Sequence, residues 1–84
     1  MMSGPLADAI GLIGSAVFIA GYLYSNIAKT IDFRLFNAIN LLGALLLIVS
    51  LLVHFNLASM VLEIAWGLIA AFGLIKALRG GKPA

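Results

Sequence analysis

The sequence predicts an all-α membrane protein built from three transmembrane helices, and three observations carry that prediction. The chain is 64% hydrophobic and 10% charged, with a mean hydropathy of +1.22, far from the roughly 45–50% apolar and 25% charged mix of soluble domains. Residues 9–28, between Asp8 and Lys29, carry no formal charge, and that run is about the length a helix needs to cross some 30 Å of hydrocarbon. Residues 35–75, between Arg34 and Lys76, contain a single formal charge, Glu63, and are long enough for two more such helices.

The first helix is expected near residues 8–27. Residues 1–8 hold an acid but no Lys or Arg, unlike the positively charged start of a cleaved signal, so the span reads as a retained helix. The second is expected near 35–54, with Thr30 and Asp32 as candidate N-caps. His54, Phe55 and Asn56 mark the next turn, and Asn56 or Ser59 can cap a third helix near 57–78. Gly80, Gly81 and Pro83 end it. The 84 residues make one domain, 1–84, of which 79–84 form a short basic tail.

Charge sets the orientation. Lys29 and Arg34 fall in the first loop, and Lys76, Arg79 and Lys82 fall at the C-terminal end, while the N-terminus and second loop have no Lys or Arg. The positive-inside rule then places the N-terminus outside and the C-terminus in the cytoplasm, as a multi-pass protein of a cell membrane. So uneven a distribution argues against dual topology, and it makes any homo-oligomer parallel. The net charge of +2 fits this topology better than nucleic-acid binding, because the basic residues are few and separated by apolar runs. Tyr22, Tyr24, Phe33 and Phe36 fit an inner aromatic belt.

Enzymatic signatures are absent. There is no cysteine and one histidine, which excludes disulfides, thiol redox and a zinc site of ordinary ligand count. The carboxylates Asp8, Asp32 and Glu63 are assigned to the outside, the inside and the membrane, so no two flank one bond as acid and base. No serine lies in a nucleophile motif, and the glycines lie within apolar helices instead of a phosphate-binding loop. No cofactor is expected.

Each helix carries a stripe of small or polar residues at spacings of three and four. In helix one it is Ala7, Gly11, Ser15, Phe18, Tyr22 and Ser25; in helix two Asn37, Asn40, Gly43, Leu47, Ser50 and His54; in helix three Ser59, Glu63, Trp66, Ala70, Gly73 and Ala77. Small residues such as Gly11, Gly14, Gly21, Gly43 and Gly73 let helix backbones approach closely, and lipid supplies no hydrophobic drive to bring them together otherwise. Counting depth from the helix ends puts Glu63 level with Gly14 or Ser15 and with Ser50, and Asn40 level with Tyr22 and Gly73. A polar lining from Ser15, Ser50 and Glu63 to Tyr22, Asn40 and Asn37 would make a solute path.

Glu63 is the residue that most demands a role, because a charge at bilayer depth costs roughly 2.5–3.5 kcal/mol or more unless it finds a partner or water. Three readings stand. It binds a solute or a proton; it is a structural carboxyl bonded to Asn40, Ser50 or a neighbouring subunit; or it snorkels to the outer interface. Trp66, near the midplane and one turn away, either walls a pocket or packs in the core. His54 is expected as a solvated interfacial side chain, and Asp8, Lys76 and Arg79 as complements to helix dipoles.

The run Asn40-Leu-Leu-Gly43-Ala-Leu-Leu-Leu-Ile-Val-Ser50, followed by a short loop and Leu57-Ala-Ser-Met-Val-Leu-Glu63-Ile, resembles helices two and three of the bacterial SemiSWEET and PQ-loop half-transporters. Length, helix count, the basic first loop and the short second loop are similar as well. The chain is also similar to a group of small bacterial three-helix proteins of uncharacterised function. The first resemblance implies a dimer that transports, with Glu63 standing where that family has a substrate-contacting Asn. Leu47 stands where the family has its sugar-stacking Trp, and Tyr24 and Ser25 where it has a Pro-Gln doublet. The hinge proline and aromatic platform are thus missing, and sugar does not carry over as the solute.

Three helices cannot wall a path on all sides, whereas two parallel copies can. The sequence therefore points to a half-transporter in the lipid bilayer, working as a parallel homodimer for a small polar or cationic solute, with Glu63 in the cavity. Proton coupling is compatible with the acid. The alternative is a non-transporting accessory subunit of a larger membrane complex, its stripes serving as binding seams.

Overall fold

The computed structural model describes residues 2–80, and within them the chain forms three helices: α1 (Gly4–Ile27), α2 (Phe33–Leu51) and α3 (Leu57–Leu78). Each is long and apolar enough to cross a membrane, which makes this a membrane protein. The Cα extents are 41 × 23 × 20 Å, the long dimension running with the helices.

α1 starts a turn before the boundary expected at residue 8. The Ser3 hydroxyl accepts from the Leu6 N–H at 3.2 Å as N-cap, and Pro5 sits in the first turn, where its missing N–H and fixed φ cost nothing. At the other end the Ala28 N–H reaches the Tyr24 carbonyl at 3.0 Å. The Tyr24 hydroxyl then accepts from the Asp32 N–H at 2.8 Å, tying α1 to the start of α2. Asp32 caps α2 by accepting from the Arg34 and Leu35 N–H groups at 3.0 and 3.3 Å.

α2 also begins earlier and ends earlier than the expected 35–54. Its last turn closes at Leu51, and Leu52, Val53 and His54 continue as turns whose N–H groups still bond carbonyls of the final helical turn. α3 matches the expected 57–78: the Asn56 side chain accepts from the Ser59 N–H at 2.9 Å, and Gly80 leaves the helix with φ +78°, the left-handed geometry that glycine adopts without strain. Gly81, Lys82 and Pro83, named above as tail and terminator residues, lie outside the described residues.

Helix order explains the packing. α2 packs on both α1 and α3, and among the described residues no Cα of α1 approaches one of α3 within 8 Å. The core is correspondingly thin, consisting among the described residues of Ala7, Ala44 and Ala70 and the glycines Gly14, Gly21, Gly43 and Gly67, with Asn40 and Glu63. No large side chain is fully buried among the described residues, and most of each span faces outward. Small residues on the seams and large apolar ones outside are what helix association in lipid requires, where close van der Waals contact replaces hydrophobic burial.

Candidate functional site

The seams are built by glycines against side chains of α2. A Cβ added to Gly11 would lie 2.7 Å from the Ser50 Oγ, one on Gly14 3.0 Å from the Leu46 Cβ, and one on Gly21 2.9 Å from the Ile39 Cγ2. Gly43 presents the reciprocal surface, with Phe18 Cδ1 2.7 Å from where its Cβ would be. Across the second seam a Cβ added to Gly73 would lie 2.6 Å from the Asn37 Oδ1, and one on Gly67 would lie 3.4 Å from the Ala44 Cβ. Adjacent residues of α2 therefore serve different neighbours: Gly43 faces α1 and Ala44 faces α3.

Polar side chains along these seams are spent locally. Ser15 donates to the Gly11 carbonyl at 2.9 Å, Asn37 to Phe33 at 2.8 Å and Asn40 to Phe36 at 3.0 Å, each one turn back on its own helix. Such back-bonding is how Ser and Asn satisfy themselves inside an apolar helix. Ser50 behaves differently. Its hydroxyl crosses the seam and donates to the Ala7 carbonyl at 2.8 Å. Tyr22 is 74% exposed and its ring lies away from the buried line Ala7, Gly14 and Gly21.

No hydrogen bond joins Ser15, Ser50, Asn40, Asn37, Tyr22 or Glu63 to another member of that set among the described residues. Asn40, 8% exposed, lies against Gly21 with its Oδ1 3.6 Å from that residue's notional Cβ.

Glu63 stands apart. It is 9% exposed, on the same face of α3 as the buried Gly67 and Ala70, and its Oε1 is buried with no hydrogen-bond partner. Neither Asn40 nor Ser50, its partners in the structural-carboxyl reading, bonds it: the Ser50 hydroxyl gives its single hydrogen to the Ala7 carbonyl, and the Asn40 amide donates to the Phe36 carbonyl. One turn along, Trp66 is 47% exposed and meets the Phe18 ring edge-on, centroids 6.1 Å apart at 75°. That pair bridges α1 and α3 across Gly43, where their backbones do not meet.

At the other end, sequence reasoning missed a link. Asp8 lies in the second turn of α1, not at its N-terminus, and its carboxylate sits 3.0 Å from the His54 Nε2, which also lies 3.3 Å from the Gly4 carbonyl. Both side chains remain about half exposed or more, so His54 is an interfacial group but not a free one. Its position just past α2 and that of Asp8 near the start of α1 were the available signal, since adjacent antiparallel helices bring those ends together.

Among the described residues no cluster of His, Asp and Glu could hold a metal ion. One protein-family model matches residues 7–82 of the chain. No curated protein and no solved structure matches it.

Proposed function

We propose that this chain, which belongs to the family whose model matches residues 7–82, is a membrane-embedded half-transporter that works as a parallel homodimer, with Glu63 of each copy lining a path for a small polar or cationic solute. The observation that supports this reading is the buried Glu63 Oε1 without a partner. A carboxyl oxygen withdrawn from both water and hydrogen bonds is costly, and its cost is recovered when a cation, an amide or water from outside the chain meets it. Single copies offer no enclosing wall, because α1 and α3 stand on either side of α2 without backbone contact. A second copy supplies that wall. The positive-inside distribution, with Lys29, Arg34, Lys76 and Arg79 at one end, keeps both copies in one orientation in a bacterial inner membrane. The reading rests on the acid and does not depend on the likeness to SemiSWEET proteins.

The experiment is uptake by proteoliposomes of a panel of small organic cations and polar neutral solutes, with a pH-sensitive dye reporting proton movement. Glu63→Gln should lower whatever flux the native protein supports by at least about tenfold, equal to the loss of about 1.4 kcal/mol of transition-state stabilisation, and mild-detergent purification should yield a dimer. Undiminished flux in Glu63→Gln, or recovery of one stoichiometric larger membrane protein in place of the dimer, would overturn the proposal. The latter outcome is the accessory-subunit reading.

A further inference from the structure

We propose that the basic end of α3 is a binding site for the head group of an anionic phospholipid, Lys76 and Arg79 holding the phosphate diester while Phe72 and Ile75 hold the glycerol and first methylenes. These four residues line one open groove of ≈310 Å³. Their spacing of three, one and three places them on a single helical face. That face is separate from the seam, where Ala70 is buried and Gly73 abuts Asn37, and both Phe72 and Ile75 are exposed on it.

The face is graded along its length. From Phe72 to Arg79 is roughly 10 Å of helix axis, and over that distance the lining passes from aromatic and aliphatic to ammonium and guanidinium. An amphiphile lying beside the helix has the same order, chain then glycerol then phosphate. Lys76 suits this arrangement because its methylene stem lies along apolar surface while the ammonium reaches outward. Arg79 adds a planar fork that matches two phosphate oxygens at once.

Helix C-termini ordinarily repel anions, since their free carbonyls carry partial negative charge. Here Arg34 offsets that repulsion: its Nε reaches the Ala77 carbonyl at 3.4 Å, bringing a third cation to the same helix end. No carboxylate among the described residues neutralises the cluster. Asp8 pairs with His54 at the opposite end of the helices, Asp32 is engaged in capping α2, and Glu63 lies about four turns away along α3. A free inorganic anion would leave Phe72 and Ile75 uncovered, whereas a lipid covers them, so the apolar half of the groove favours the lipid. Juxtamembrane cations of this kind attract anionic lipids in general.

The test is native mass spectrometry of the purified full-length chain in detergent, offered equimolar phosphatidylglycerol and phosphatidylcholine. Native protein should retain phosphatidylglycerol in preference by about tenfold, and Lys76→Gln with Arg79→Gln should bring the ratio close to one. The charge-conserving pair Lys76→Arg and Arg79→Lys should keep most of the preference, which shows that a loss reports charge and not misfolding. Lys29→Gln, at a different loop of the same end, should leave the ratio unchanged. Equal retention of both lipids by the native chain, an unaltered ratio in the neutral double variant, or an equal loss in Lys29→Gln would overturn the proposal. Displacement of the bound lipid by millimolar inorganic phosphate, with chloride at matched ionic strength as control, would overturn it in favour of a soluble-anion site.

Discussion

Phe18 lies over Gly43 so closely that a Cβ on Gly43 would come within 2.7 Å of Cδ1 and 3.0 Å of Cε1. The aromatic ring thus occupies the volume a side chain on α2 would need, and the two helices approach through that gap.

Gly43→Ala should therefore destabilise the bundle by about 1–3 kcal/mol, the usual penalty for overpacking. Reversible unfolding in mixed micelles measures it. Phe18→Ala in the Gly43→Ala background should recover part of the loss, giving a coupling energy that a Gly43→Ala change acting through helix propensity alone would not produce.

Ser50 and Ser15 separate a bond between helices from one within a helix. Ser50→Ala removes the hydroxyl that donates to the Ala7 carbonyl and should cost roughly 0.6–1.7 kcal/mol, from the average to the upper limit measured for interhelical hydrogen bonds within one membrane protein. Ser15→Ala removes only a bond to its own helix and should change stability far less. Equal losses from the two variants would contradict the assigned partners.

For Glu63 the expected stability effect runs opposite to the expected effect on flux. Since the buried Oε1 has no partner within the described chain, Glu63→Leu removes an unsatisfied polar group and should leave unfolding stability in dilute micelles unchanged or raise it by about 1–3 kcal/mol. The same variant should lose the proposed transport. A marked drop in single-chain stability would reveal an internal partner and sink the idea that Glu63 waits for an external one.

His54 and Asp8 fasten α1 to the end of α2 at 3.0 Å. Because both are substantially exposed, a double-mutant cycle of His54→Gln and Asp8→Asn should give a coupling below about 1 kcal/mol that shrinks further in high salt. A loss in His54→Gln without coupling to Asp8 would assign the contribution to the Gly4 carbonyl, 3.3 Å from the same ring nitrogen.

Trp66 is the single tryptophan of the chain, and it lies near the middle of α3 with about half its surface exposed. Its fluorescence should be quenched more by lipids brominated deep in the acyl chain than by lipids brominated near the head group. The reverse order would place α3 along the membrane surface and contradict a spanning helix.

The three helices were legible because charge-free runs of spanning length leave little else for the backbone to do in lipid. Their ends are less legible, because a charged residue marks where a run stops being apolar and not where the helix begins. Asp8 stood for the start of α1, although Ser3 and Pro5 carried the capping signal. Spacing alone also could not say which small residues pair. Gly67 and Ala44, which meet across the second seam, were absent from the stripes read off the sequence, yet Gly67 follows Glu63 by four residues and precedes Ala70 by three. The polar lining was illegible for a chemical reason. A Ser or Asn in a helix has a carbonyl of its own backbone within reach, and Ser15, Asn37 and Asn40 all take it.

Both seams join helices that are neighbours in the chain, so the molecule can be put together in the order in which it is synthesised. The first hairpin can close through Gly11, Gly14 and Gly21 on residues of α2 before the last span leaves the translocon, and α3 can then dock on that surface. The Phe18–Trp66 contact between α1 and α3 then forms last, as the third helix arrives.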